Sequence, residues 1–156
     1  MRVEQLMSRD VKSCNESDPL VKAVQLMWER DIGCVPVLDA KGGLTGVITD
    51  RDCVMAAMMQ GRRLDEIEVG TVMSRKVVTC QPGDTLETAA MAMKKAQVRR
   101  LPIVDKQGKV VGMIALTDLS RAAEREPNQR VREEFMREVE MTLAEVGRPR
   151  ASPVRA

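Results

Sequence analysis

Histidine and tyrosine are absent from the 156 residues. Without histidine the chain lacks the commonest general base and metal ligand, and no Ser-His-Asp or Cys-His arrangement can be assembled. Tryptophan and phenylalanine occur once each, as Trp28 and Phe135. That excludes the rows of exposed rings on which single-stranded nucleic acid stacks. The four cysteines (Cys14, Cys34, Cys53 and Cys80) show no Cys-x-x-Cys spacing, so a zinc site would need all four to converge. No glycine-rich phosphate loop is present. No apolar run approaches the ~20 residues that span a bilayer, and Met1-Arg2-Val3-Glu4-Gln5 does not open a signal peptide. The expected compartment is the cytoplasm, where the thiols stay reduced. A net charge of +2 gives no global electrostatic case for nucleic acid or a membrane surface.

What the chain does have is a core and a repeat. Apolar residues make up 44% of it, and twelve methionines fill space that aromatics usually take. Gly46-Val47-Ile48-Thr49-Asp50-Arg51-Asp52 returns as Gly112-Met113-Ile114-Ala115-Leu116-Thr117-Asp118, an offset of 118 − 52 = 66 residues. The register holds without a gap. Met7-Ser8-Arg9 matches Met73-Ser74-Arg75, Cys14 matches Cys80, Asp18 matches Asp84, and Pro36-Val37-Leu38-Asp39 matches Pro102-Ile103-Val104-Asp105. Glycines, prolines and aspartates recurring at one offset mark a tandem repeat.

Each repeat reads as β-α-β-β-α. In the first, Val11 to Cys14 is a brief strand, and Asp18-Pro19 starts a helix with Asp as N-cap. That helix ends near Gly33. Cys34–Leu38 and Leu44–Ile48 are strands joined by a glycine turn, and a helix from Asp50 to Gln60 is stopped by Gly61. In the second repeat Asp84 is expected to cap, with Glu87 completing a capping box. The domain reading is residues 1–61 as repeat one, 62–68 as linker and 69–122 as repeat two. An amphipathic helix at 128–146 follows, with Val131, Phe135, Val139 and Val146 near one stripe and Met136 and Leu143 flanking it. The stretch 147–156 has the composition of a disordered tail. Neither half can bury both faces of so small a sheet, so the fold class is α/β (α+β-like): two repeats packed about a pseudo-twofold axis, plus a C-terminal helix.

The two aspartate turns are the candidate chemistry. A carboxylate accepts hydrogen bonds on two oxygens and suits a ribose diol, while a helix start offers N–H groups to a phosphate. Thr49-x-x-Asp52 reads equally as a capping box, with Asp in place of the usual Glu. The second copy tips the balance: Ala115 has no cap to offer, yet Asp118 is still there, so the pair is assigned to a ligand.

Met-Ser at each repeat start, Arg99-Arg100-Leu101-Pro102-Ile103-Val104-Asp105 and the Gly-x-x-Thr-x-x-Asp of the first turn together resemble a tandem pair of cystathionine-β-synthase (CBS) domains, the Bateman module. The likeness covers roughly residues 1–122 and is to the short stand-alone bacterial type. The resemblance implies a non-catalytic sensor with no obligatory cofactor, which binds an adenine nucleotide (AMP, ADP or ATP) or S-adenosylmethionine in a cleft between the halves. It also implies homodimers built through the helices, and a protein partner that reads the bound state. Carried over residue by residue, site one takes Thr49, Arg51 and Asp52 with Val78, Thr79, Arg99, Arg100 and Pro102. Site two takes Thr117 and Asp118 with Ser13, Gly33, Cys34 and Pro36. Arg99 and Arg100 suit a phosphate. Gly33 and Cys34 stand in their place at site two, which is expected to stay empty or take an uncharged adenosyl group. Two rival readings stand beside this: a ligand-free dimerisation scaffold, and nucleic-acid binding through Arg121 to Arg132 and the tail. The repeat-equivalent Cys14 and Cys80 could pair in a disulfide, but the expectation for them is buried, reduced thiols.

Overall fold

The computed structural model describes residues 1–149. The chain divides into two compact units that differ from the two repeats. The first unit is Ser8–Val78 with Val104–Gly112; the second is Met1–Met7, Thr79–Ile103 and the chain from Met113 on.

In the first unit the elements are β1 (Cys14–Asn15), α1 (Leu20–Arg30), β2 (Cys34–Leu38), β3 (Leu44–Thr49) and α2 (Asp50–Gln60). β1 runs parallel to β2 with Cys14 opposite Val37. β2 pairs antiparallel with β3, setting Cys34 opposite Thr49 and Val37 opposite Gly46. The β2–β3 turn needs Gly42 in the left-handed region, at φ 81°. Asp39 Oδ1 accepts from Lys41 N at 2.8 Å and Gly43 N at 2.9 Å, and these amides, Gly43 first, hold its carboxyl below the usual range. Leu20, Ala23 and Met27 of α1 pack with Val35, Val37, Ile48, Cys53 and Ala56, with Ile67 of the linker, and with Val69 and Met73 beyond it. Gly61 ends α2 at φ 61°, as its sequence implies.

Two helix starts differ from expectation. Pro19, not Asp18, is the N-cap of α1, and it has no side-chain cap. Asp18 Oδ2 instead accepts from Asn15 N at 2.7 Å and from Lys22 Nζ at 2.8 Å. In the second repeat Thr85 caps α3 (Leu86–Ala96), accepting from Thr88 N at 3.2 Å, while Asp84 Oδ2 accepts from Gln81 N at 2.8 Å. Both aspartates close the turn before the helix rather than the helix itself, the local competition that short acidic side chains offer. α1 also stops three residues short of Gly33, with Asp31 taking the left-handed position at φ 51°.

The second unit carries α3, most of β4 (Arg100–Val104), the second half of β5 (Val110–Ala115), then α4 (Leu116–Glu124) and α5 (Gln129–Val146). Its counterpart of β1 is only a parallel bridge between Cys80 and Ile103, so the second repeat is not the full β-α-β-β-α expected. Leu86, Ala89, Ala90, Met93, Leu101, Ile103, Ile114 and Leu119 are all buried.

The opening segment of each repeat serves the other repeat's unit. Val3 N donates to Asp84 O at 2.9 Å and Leu86 N to Met1 O at 3.4 Å. At the same offset of 66, Val69 N donates to Asp18 O at 2.9 Å and Leu20 N to Ile67 O at 2.8 Å. The division at 61–69 read from the sequence follows the repeat, whereas the physical units exchange these segments.

α5 packs back on α3 and α4 of its own chain. Asn128 caps it, accepting from Val131 N at 3.2 Å. Lys94 Nζ reaches Glu138 Oε1 at 2.7 Å, and Gln97 Nε2 donates to Glu145 O at 3.3 Å. Val139 and Thr142 are the buried residues of this helix. The expected stripe needs correcting: Val131 and Leu143 are exposed, at 45% and 55%. Thr142 takes the inward position because its hydroxyl is satisfied by Glu138 O at 2.7 Å, and Leu143 lies about 100° further round the helix. Of the expected tail, Gly147 N still donates to Leu143 O at 2.9 Å and Arg148 N to Glu145 O at 3.2 Å; positions 150–156 lie outside the described residues.

Candidate functional site

Each aspartate turn follows from a strand that runs without a loop into a helix. Thr49 is the last residue of β3 and the N-cap of α2, at φ −115° and ψ 162°. Ala115 ends β5 and caps α4 at φ −117° and ψ 156°. The next backbone N–H is tied to the residue before the pre-proline strand: Asp50 N to Gly33 O at 3.4 Å, and Leu116 N to Arg99 O at 2.9 Å.

The carboxylates are engaged locally. Asp52 Oδ2 accepts from Thr49 N at 2.9 Å and from Thr49 Oγ1 at 2.7 Å, and Thr49 Oγ1 accepts from Asp52 N at 3.2 Å. Asp118 Oδ2 accepts from Ala115 N at 2.8 Å. This overturns the reason for assigning the pair to a ligand. Asp118 performs the half of the capping box that needs no partner at the cap, since the orphan amide belongs to the backbone and alanine supplies one as well as threonine. What remains for a ligand is the second oxygen. Asp52 Oδ1 has no hydrogen-bond partner among the described residues, whereas Asp118 Oδ1 lies 3.5 Å from Arg121 Nη1.

The remaining expected residues fall in both units. Ser13, Gly33, Cys34, Pro36, Thr49, Arg51, Asp52 and Val78 belong to the first; Thr79, Arg99, Arg100, Pro102, Thr117 and Asp118 belong to the second. Pro36 and Pro102 are buried, Ser13, Cys34, Val78 and Thr79 are half-buried, and Arg51, Thr117, Arg99 and Arg100 are exposed. Neither Arg99 nor Arg100 has an ion-pair partner among the described residues, so both guanidinium groups are available to an anion.

Two features escaped the sequence reading. Asp50 adds a second carboxylate to the first turn of α2, and its Oδ2 lies so close to Gly33 that a Cβ there would meet it at 3.0 Å. A cavity of about 300 Å³ in the first unit is lined by Ser13 together with Val11, Leu38, Val110, Lys41 and Lys109. The two lysines come from hairpin turns of different repeats, and only the folded chain brings them to one cavity. They put positive charge beside Ser13, where the sequence led us to expect none.

Cys14, Cys53 and Cys80 are buried free thiols. Burial pushes each up to about 11. Cys14 and Cys80 are not joined by a disulfide. Among the described residues no cluster of potential metal ligands occurs, and no helix is long and apolar enough to cross a membrane.

The CBS-domain family model matches twice, over residues 3–58 and 69–125. The chain belongs to the CBS-domain family. The CBS domain-containing protein YhcV of Bacillus subtilis is 37% identical over 118 residues, 76% of this chain and 82% of YhcV. Several other relatives are longer, the matched stretch making up as little as 22% of their length. Among solved structures, CBSX2 in complex with AMP superposes with a TM-score of 0.69 at 26% identity, over 80% of this chain and 96% of CBSX2. The CBS domain pair of MJ0100, solved with 5′-methylthioadenosine and S-adenosyl-L-methionine, shares the fold at a TM-score of 0.70 and 24% identity, over 78% of this chain and 94% of that one. The mixed α/β architecture of the two repeats in this CBS pair is that of the family, and the C-terminal helix α5 follows the matched residues.

Proposed function

We propose that this CBS pair is a cytoplasmic, non-catalytic regulatory module that binds an adenosine-containing ligand with residues drawn from both repeats. Site one is Thr49, Arg51 and Asp52 with Val78, Thr79, Arg99, Arg100 and Pro102; the ligand is AMP, ADP, ATP or S-adenosylmethionine. Site two is Ser13, Gly33, Cys34 and Pro36 with Thr117 and Asp118. The observation that carries the reading is the pair of exposed, unneutralised guanidinium groups at Arg99 and Arg100. Bidentate, charge-assisted bonds from such groups are the strong ones for phosphate, and Asp52 Oδ1 remains open to a ribose hydroxyl. The AMP bound by CBSX2 and the adenosyl ligands bound by MJ0100 support the ligand class. The module acts as a homodimer whose packing a protein partner reads.

Calorimetry with AMP and with adenosine tests it. Arg100→Ala is expected to weaken AMP about 10- to 100-fold, the ~1.5–3 kcal/mol of a charged hydrogen bond, and to leave adenosine unchanged. Equal affinity of wild type and variant for AMP removes the phosphate role.

One observation favours a second reading, a ligand-free dimerisation scaffold: capping accounts for both aspartates. A thermal-shift series with AMP, ATP and S-adenosylmethionine separates the two, because a ligand of the folded state must raise the melting temperature by mass action.

A further inference from the structure

The two hairpin turns close alike, and each carries a lysine whose ammonium group the turn does not use. Asp39 Oδ1 accepts from Lys41 N at 2.8 Å and Gly43 N at 2.9 Å. Asp105 Oδ1 accepts from Gln107 N and Lys109 N, both at 2.9 Å. Gly42 and Gly108 take the left-handed position, at φ 81° and 77°. At the repeat offset of 66, Lys41 stands where the other turn has Gln107, and Lys109 where the other has Gly43. Closure takes only their amides, so neither side chain is a demand of the fold. Both are exposed, and neither enters an ion pair among the described residues. Yet both line the cavity of about 300 Å³ in the first unit, with Ser13 and the apolar side chains of Val11, Leu38 and Val110. The cavity lies away from the aspartate turn of that unit. Cys34 stands opposite Thr49 at one end of β2, and Leu38 opposite Leu44 at the other. Over the four residues from Cys34 to Leu38, a rise of ~3.3 Å each sets the two ends about 13 Å apart.

We propose that this cavity is a separate binding site for a small phosphomonoester, its phosphate between Lys41 and Lys109 and its uncharged body against Val11, Leu38 and Val110. Two ammonium groups converging on one space repel each other, and a dianion between them turns that repulsion into attraction. A phosphomonoester carries close to two negative charges at neutral pH. Lysine binds phosphate as a point charge, with no fixed fork to satisfy, and its flexible stem lets the head turn inward from the rim. Ser13 offers a hydroxyl that can donate to or accept from the body. The volume is at the small end of ligand pockets, which run from ~300 to ~1,000 Å³, and suits a phosphate on a short polyol. Ser13 is the one residue shared with the proposed site two; neither lysine belongs to it.

The test contains no adenosine. Amide ¹H–¹⁵N spectra of the full chain are titrated with glycerol 3-phosphate and, separately, with inorganic phosphate. Saturable shifts are expected at Val11, Ser13, Gly42 and Val110, with glycerol 3-phosphate the tighter of the two because inorganic phosphate has no body to place. Lys41→Gln/Lys109→Gln is expected to weaken glycerol 3-phosphate about 10-fold or more, the loss of charge-assisted bonds. Lys106→Gln, in the same turn as Lys109 but outside the cavity lining, is expected to bind as wild type does. A second readout needs no variant. The chain has no histidine, so a fall in affinity from pH 7 to about 5.5 follows the second proton of the ligand, whose pKa is ~6. Sulfate stays dianionic over that range and is expected to hold its affinity. The proposal is overturned by the absence of saturation in the millimolar range, by shifts undiminished in the double variant, by an equal loss in Lys106→Gln, by equal affinity for inorganic phosphate, or by a flat pH profile. None of these outcomes bears on the aspartate turns, and a failed AMP titration leaves the cavity reading standing.

Discussion

Asp52→Asn separates the two roles that meet in one carboxylate. The amide oxygen still accepts from Thr49 N, held at 2.9 Å by the native Oδ2, so most of the cap survives. What disappears is the negative charge beside the start of α2, worth about 0.3–1 kcal/mol. In a chain of this size each kcal/mol moves the melting temperature by about 2–4 °C, so the ligand-free variant should melt only ~1–4 °C lower. Binding should suffer more. A hydrogen bond from a ribose hydroxyl to a charged acceptor is worth about 1.5–3 kcal/mol, and a loss near ~2 kcal/mol raises Kd about 30-fold. At AMP one hundred times the wild-type Kd, stabilisation of the wild type is ~2.7 kcal/mol. The variant, with ligand at only about three times its own Kd, retains ~0.9 kcal/mol. Differential scanning fluorimetry with and without AMP should therefore show the ligand-induced shift falling to about a third while the apo melting temperature barely moves. A variant that keeps the full AMP shift would refute a ligand role for Asp52 and leave it as a cap.

Gly46→Ala should destabilise the first unit by about 1–3 kcal/mol through overpacking. Its Cβ would lie 2.6 Å from Met73 Sδ and 2.9 Å from Ser74 O, where the Val47–Ser74 bridge draws the two backbones together; a urea midpoint equal to wild type would contradict that crowding. Cys14, Cys53 and Cys80 should resist iodoacetamide at pH 8 in the native state and react once urea is added, because burial pushes each thiol from 9.0 up to about 11. A folded pKa raised in this way favours the protonated form. The stability it contributes is whole below pH 9 and is lost as pH climbs toward 11, so the urea midpoint should fall over that window, and fall less in Cys80→Ala. Rapid native labelling of any of the three would show its burial to be wrong.

Much of this was legible in the sequence because duplication writes the pattern twice. The offset located both glycine turns, and α2 runs from Asp50 to Gln60 with Gly61 after it, as the capping signals at its two ends indicate. Helix starts were less legible, since Asp18 and Asp84 can close a turn or cap a helix with equal chemistry, and the geometry of Asn15 and Gln81 decides. The inward position of Thr142 was hidden because a hydroxyl that bonds back to Glu138 O costs little to bury. Asp118 is hard to read for a different reason: half of a capping box is not a property of the residue at the N-cap but a carboxylate answering an amide that every residue but proline has. Lys41 and Lys109 reach one cavity only through the fold, and no periodicity announces that.

The exchanged openings, Val3 with Asp84 and Val69 with Asp18, mean that a single repeat cut from this chain lacks the strap that closes it. Such a fragment could complete itself only by borrowing from a twin, each lending its first residues to the other. The duplicated chain is in this sense a domain-swapped pair whose two members have been written into one polypeptide, with the joint at 62–68 fixing their stoichiometry at one to one. Lengthening that joint should be tolerated, whereas severing it turns a unimolecular closure into an encounter between two strangers.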